Sequence, residues 1–252
     1  LLSAIAFTCL AVDTSIAERV MTAEEIVARV LYRDALMLVI DKPAGLPVHP
    51  GPKGGETLVR HLDALRFGLP RRPEAAHRLD KDTSGCLVLG RHTKALARLG
   101  KLFAHGEVDK VYWAVVQGGP ADEVGEIALP LARKSPDRGW WMKADPAGQP
   151  ALTRWRVLGR GDGLALMELR PITGRTHQLR VHCAASGWPI LGDPIYGNGP
   201  RFGGPGLHLH ARAIVVPLYP KKPAVAVEAP LPAAMRERVA ACGIEMPGAG
   251  CR

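Results

Sequence analysis

The chain has 252 residues, room for one large domain or two small ones, and 47% of them are hydrophobic, as in a globular protein that buries a core. Lysine and arginine number 33 against 24 acidic residues, and the resulting charge of +9 favours a polyanionic partner such as nucleic acid. The five cysteines (Cys9, Cys86, Cys183, Cys242 and Cys251) are odd in number and form no C-x-x-C pair, which argues against a disulfide framework or a zinc site and for reduced thiols in the cytoplasm.

Leu1 to Val12 is mostly apolar but too short to span a bilayer, and it lacks the basic leader of a signal peptide. Met21 reads as the start, so residues 1–20 are expected to be upstream translation or a disordered leader. No membrane association is expected. Thr22 and Glu25 form a capping box ahead of Ile26, Val27 and Val30, which predicts a short helix. Leu36 to Ile40 is an apolar run that suits a buried strand, ended by Lys42-Pro43-Ala44-Gly45. Leu58, Leu62 and Leu65 recur at helical spacing. Thr93 to His105 is the clearest helix: Thr93 is placed as its cap, Leu96, Leu99, Leu102 and Phe103 share a face, and Gly106 stops it.

Val111 to Val116 is rich in β-branched and aromatic residues and predicts a strand. Further strands are expected near 124–129, 152–158 and 164–170, then at Leu207 to Val216 and Ala224 to Val227. Residues 133–149 are mostly polar and carry turn signals, which predicts a hairpin-like excursion bearing Trp140, Trp141 and Lys143. His177 to Ser186 reads as a helix stopped by Gly187. A last helix, Pro232 to Ala241, leads into a Gly/Pro-rich stretch expected to be a flexible tail from 242 to 252. Strands outnumber helices without alternating with them, so the expectation is an α+β fold: one domain over 21–241 with a mixed, largely antiparallel sheet flanked by helices.

Two dense polar blocks stand out. The first runs from His77 to Gly85 and holds Asp80 between Arg78 and Lys81; the second runs from Arg170 to His182. A carboxylate can act as a covalent nucleophile, and inside a pocket it needs a cation or several donors to stay ionised. Sequence neighbours in a loop often point apart, so Arg180, supplied from elsewhere in the chain, is the better partner for Asp80. From spacing alone, Asp80 and Asp82 serve equally well as turn residues. His177 and His182 lie five apart, which does not place both on one helical face as zinc ligands, and no metal site is expected. Gly51 to Gly55 lacks the spacing of a phosphate-binding loop. Arg71, Arg72, Arg133, Lys134, Arg138 and Lys143 read as solvated charges or phosphate contacts.

The two blocks carry the patterns H-R-L-D-x-x-T-S-G and R-P-x-T-G-R-T-H-Q-L-R-V-H without a gap. A third pattern, K-x-Y-x-A-x-V-x-G, stands at Lys110, Tyr112, Ala114, Val116 and Gly118, and shorter matches lie at Lys42 to His49 and Ile190 to Gly197. In this order they resemble the RluA family of pseudouridine synthases, which isomerise uridine within RNA; the likeness covers residues from about 30 to about 230. The resemblance implies a curved mixed sheet in a single catalytic domain, no metal or cofactor, and ribosomal or transfer RNA as partner of a monomeric, cytoplasmic enzyme. It implies that Asp80 is the catalytic residue, that Arg180 pairs with it, that Tyr112 lies against the target base, and that Arg78 fills the space left by a flipped nucleotide. Arg175 and Lys42 are assigned to RNA contact. His77, Leu79, Thr83, Gly85, Gly174, His177 and Gln178 are assigned to the framework of the motifs. Two other readings stay open: a non-catalytic RNA-binding protein on the same fold, and a glycoside hydrolase, which needs a second carboxylate at a suitable separation.

Overall fold

The computed structural model describes residues 21–51, 54–135 and 141–245. Helix α1 (Ala23–Ala28) is followed by β1 (Val30–Arg33), β2 (Met37–Lys42), two 3-10 turns (Leu58–Arg60 and Leu62–Leu65), β3 (Glu74–Ala75) and β4 (Ser84–Gly90). Next come α2 (Thr93–Ala104), β5 (Asp109–Gln117), β6 (Val124–Ile127), β7 (Leu131–Arg133), β8 (Met142–Ala144), β9 (Thr153–Gly161) and β10 (Leu164–Pro171). The chain closes with α3 (Gln178–Ala185), β11 (Leu209–Val216), β12 (Val225–Glu228) and α4 (Ala233–Ala241).

Local chemistry accounts for most of these elements. The capping box of α1 forms as expected: Glu25 N–H donates to Thr22 Oγ1 at 3.2 Å, and Thr22 N–H donates to Glu25 Oε2 at 2.9 Å. The helix is short, and Val30 belongs to β1 rather than to it. The cap of α2 differs from expectation. His92 holds the extended backbone and its Nδ1 accepts from Ala95 N–H at 3.2 Å, while Thr93 is already helical. Leu58, Leu62 and Leu65 are all buried, but on two 3-10 turns rather than an α-helix. Over so few residues a spacing of three or four fits either period.

The main sheet runs in the order β1-β2-β4-β11-β5-β10-β9-β6, with β12 paired to β11 and β3 to β4. Every pairing is antiparallel except β4 with β11. The fold is therefore α+β with a mixed, largely antiparallel sheet, as expected. Strand β4 was not anticipated, because it runs straight on from the first polar block and is bracketed by glycines. It nonetheless lies deep in the sheet with all seven residues buried.

The parallel junction imposes a steric condition. Gly85 faces Ala211 with φ +104°, and a Cβ there would lie 2.3 Å from the Ala211 carbonyl oxygen. Both the backbone conformation and the space demand glycine. Beside it, Ser84 Oγ and His210 Nδ1 share a buried hydrogen bond of 2.8 Å.

Helix α3 buries Leu179 and Cys183 against Ala114, Met167 and Trp188, while α4 buries Met235 and Val239 against Val115 and Leu166. The C-terminal turn of α4 lies so close to β9 that a Cβ on Gly161 would meet the Ala241 oxygen at 1.9 Å. Cys242 is buried and Ile244 packs beside it, so the flexible tail expected from 242 does not begin there. Apolar packing continues past the helix end and holds the chain; residues 246–252 lie outside the described residues. The excursion at 133–149 contributes the hairpin β7–β8, closed by a bridge between Leu131 and Gln149, while Arg138 and Trp140 fall outside the described residues.

Gly85→Ala is expected to lower the unfolding free energy by about 2–4 kcal/mol, since it adds a backbone clash to a left-handed φ. Urea denaturation followed by circular dichroism checks this, and an unchanged midpoint would show that the junction tolerates a methyl group.

Candidate active site

One register row crosses the sheet. Gly85 faces Ala211, Ala211 faces Tyr112, and Tyr112 faces Leu169. The row joins the loop that enters β4 to the loop that leaves β10, with Tyr112 between them. Above it lies a cleft of about 470 Å³, lined by His77 to Asp80, Phe103, Lys110, Tyr112 and the segment Pro171 to Arg180. Among the described residues that line it, Asp80 is the one carboxylate.

Asp80 sits in a tight turn, whose carbonyl accepts from Thr83 N–H at 3.2 Å. Its side chain is 18% exposed, and Oδ2 lies 3.7 Å from Arg180 Nη1 and 3.8 Å from His177 Nε2. The expected pairing with Arg180 is thus present but long. The close partner of Arg180 is Asp193: Nε donates to Oδ2 and Nη2 donates to Oδ1, each at 2.8 Å, with both side chains almost wholly buried. This is the bidentate fork that guanidinium and carboxylate favour. Asp193 Oδ1 also accepts from the amides of Ile195 (2.9 Å) and Tyr196 (3.1 Å). Burial alone would raise the Asp193 carboxyl, but Arg180 and these amides outweigh it and hold the group below the usual carboxylate range.

His177 is the N-cap of α3 and has a left-handed backbone, φ +52° and ψ +20°, unusual for a residue with a side chain. That turn sends its ring between Asp80 and Tyr196, where Nδ1 lies 2.8 Å from the Tyr196 hydroxyl. Burial lowers its pKa against the opposing pull of Asp80, so the ring is neutral at neutral pH. Burial and the neighbouring Asp80 push the Tyr112 phenol upward, so it stays protonated.

The other motif residues divide by accessibility. Arg78 and Arg175 are exposed at the cleft, and Arg175 Nε also reaches the Pro150 carbonyl at 3.1 Å. His77 is a framework residue: Nε2 accepts from Val88 N–H at 3.0 Å, the ring stacks on Phe103 at 4.3 Å, and burial depresses its pKa to about 3. Leu79 and Thr83 are buried. Gln178 Oε1 accepts from Thr173 Oγ1 and Arg175 N–H, while Nε2 donates to the Leu152 carbonyl and to Thr153 Oγ1, which fixes the loop ahead of α3. Gly174 has an ordinary φ and open space where a Cβ would stand, so nothing in the fold requires glycine there.

Lys42 does not occupy the position expected of an RNA contact. Its side chain is fully buried, and Nζ donates to the carbonyls of Pro43 (2.8 Å), Leu46 (2.8 Å) and Lys81 (3.0 Å). All three ammonium protons are used inside the protein, and burial lowers the pKa to about 7. Lys42 is a bolt between the end of β2 and the residue next to Asp80. Asp193 and Tyr196 were given no role in the sequence analysis, although they lie in the matched stretch Ile190 to Gly197. No local spacing connects Asp193 to an arginine 13 positions upstream.

A family model described as RNA pseudouridylate synthase matches residues 36–185. The chain belongs to the RluA-type family of RNA pseudouridine synthases. It is 46% identical over 211 residues to an uncharacterized RNA pseudouridine synthase of Zymomonas mobilis, covering 83% of this chain and 96% of that one. It is 37% identical over 186 residues to the ribosomal large subunit pseudouridine synthase D of the same organism, covering 71% of this chain and 58% of the relative. A solved human structure, RNA pseudouridylate synthase domain containing 4, superposes with a TM-score of 0.75 at 30% identity, covering 90% of this chain and 97% of that one. The synthase is an isomerase that converts uridine in RNA to pseudouridine.

The depressed Asp193 group predicts an acid dependence. Its contribution to stability is fully present above the unfolded carboxylate value and is lost as pH falls through the lower folded value. Asp193→Asn leaves buried Arg180 with only the more distant Asp80 as counter-charge and is expected to cost about 3–5 kcal/mol near neutrality. It should also flatten the acid decline of the synthase's stability, which urea midpoints measured from about pH 2 to 6 check.

Proposed function

We propose that Asp80 is the reacting group and that the substrate is a uridine flipped out of structured ribosomal or transfer RNA. One observation carries the reading. The carboxylate of Asp80 stands in a cleft large enough for a nucleotide, beside Tyr112, and faces a cation already clamped by a second carboxylate.

The reaction breaks the bond between N1 of the base and C1′ of the ribose, and forms one between C5 and C1′. C5 loses a proton and N1 gains one, so no atoms are added or removed overall. Asp80 either attacks C1′ or takes the 2′ proton to give a glycal-like intermediate. Both routes use the ionised carboxylate, which Arg180 favours. Tyr112, which lines the cleft, lies against the base in this reading, and its raised pKa favours packing over removal of the C5 proton. Flipping costs a few kcal/mol. Arg78 fills the gap in this reading; its exposure supports this, and a planar guanidinium stacks on bases as an ammonium does not. Arg175, also exposed, contacts phosphate in this reading. The charge of +9 suits a polyanion, and the relative named as a ribosomal large subunit synthase supports a ribosomal target. A monomeric, cytoplasmic enzyme needing no metal or cofactor completes the proposal.

The hydrolase alternative finds no second carboxylate among the described residues lining the cleft. The binding-only alternative is separated by mutation. Asp80→Asn is expected to abolish pseudouridine formation, by at least about a thousandfold, while RNA affinity is kept. Position-resolved pseudouridine mapping in cells lacking the gene, rescued by wild type or Asp80→Asn, tests this and identifies the target. Rescue by Asp80→Asn would refute the catalytic assignment.

A further inference from the structure

We propose that Tyr196 is a positioning residue that aims Asp80, acting through His177. The proposal rests on the reading that Asp80 is the reacting group. Tyr196 lies outside the residues that line the cleft, so its effect on Asp80 must pass through its neighbours. It touches both side chains that face Asp80. Its ring lies under the Arg180 guanidinium at 5.2 Å and edge-on to the His177 ring, with centroids 5.5 Å apart and planes at 77°. Its amide helps hold Asp193, and through it Arg180.

The hydroxyl gives the arrangement a direction. Met142 N–H donates to the Tyr196 hydroxyl oxygen at 2.9 Å, and the same hydroxyl lies 2.8 Å from His177 Nδ1. On the other side of the ring, His177 Nε2 faces Asp80 Oδ2 at 3.8 Å. A neutral imidazole carries one proton. Placed on Nε2, the proton faces a carboxylate; placed on Nδ1, it leaves a lone pair facing that charge. Electrostatics therefore favour Nε2–H. Nδ1 then accepts, and the Tyr196 O–H is its donor. The chain runs from Met142 N–H to the Tyr196 hydroxyl, to His177, and ends at Asp80.

Arg180 and His177 both address Oδ2, one with a full charge and the other with a dipole. Two contacts from different directions resist rotation of the carboxylate better than one. A phenylalanine at 196 would keep the ring under Arg180 and the amide on Asp193. It would lose the donor that sets the His177 tautomer, and with it the acceptor of Met142 N–H.

The test uses the target RNA in single-turnover assays with wild type, Tyr196→Phe, His177→Gln and the double variant. Tyr196→Phe is expected to slow the reaction about tenfold, the kinetic equivalent of one lost hydrogen bond. The RNA dissociation constant should be unchanged, and the small fall in melting temperature caused by the Met142 amide losing its acceptor should be about the same in the wild-type and His177→Gln backgrounds. In the His177→Gln background the same substitution should cause no further slowing, because coupled residues are not additive. Imidazole nitrogen NMR shifts of His177 should report Nε2–H in the wild type and a mixture of tautomers in Tyr196→Phe. Equal slowing in both backgrounds, or a loss of RNA affinity instead of rate, would overturn the proposal. If wild type is active and Tyr196→Phe equals it, this inference alone fails. If wild type forms no pseudouridine in any RNA, the underlying reading fails.

Discussion

A guanidinium that has lost almost all access to water must be neutralised, and the site of this synthase is built around that requirement. Arg180 is seated by Asp193 in a two-bond fork, and the backbone from Asp193 to Tyr196 wraps the same carboxylate with amides. The turn before Asp193 depends on Gly192, where a Cβ would meet the Gly206 oxygen at 1.8 Å. A buried pair of this kind adds little net stability over an apolar substitute, yet removing one member is costly because the other is left charged. The arrangement makes sense as placement. Arg180 is immobilised by one carboxylate so that it can present a nearby charge to another.

The sheet brings the remaining parts to that point. The first polar block leads into β4, Tyr112 is carried by β5, and the second block follows β10. Strands β4 and β5 follow one another in the chain but are separated in the sheet by β11, and β10 comes much later; the row Gly85, Ala211, Tyr112 and Leu169 places their relevant ends side by side. The row passes through the parallel junction, where Gly85 allows β4 and β11 to approach. A glycine inside a functional motif thus has a structural reason. Gly174, in the other motif, has none within the protein.

Much of this was legible from the chain itself. Leucine spacing at 96, 99 and 102, the capping box at Thr22 and Glu25, and the β-branched run before Val116 are local patterns, and local patterns set local structure. The α+β class and the largely antiparallel sheet followed from the succession of such elements. The polar blocks drew attention to Asp80 and Arg180, the family resemblance gave them roles and added Tyr112, and the structure brings all three around one cleft.

What local pattern could not supply was which groups meet. Lys42 reads as a surface cation, but the fold closes three carbonyls around it and turns it into a bolt. Strand β4 reads as the end of a motif, but long-range pairing on both sides makes it a buried strand. Arg180 could be matched to Asp80 by likeness to a family, whereas its tighter bond to Asp193 depends on how the chain after α3 returns. The sequence by itself determined most element types and the residues with reactive chemistry, because periodicity and side-chain character are properties of short segments. Only the tertiary structure decided the partner of each buried charge. Such pairings arise where distant segments close against one another and exclude water, and no short segment encodes them.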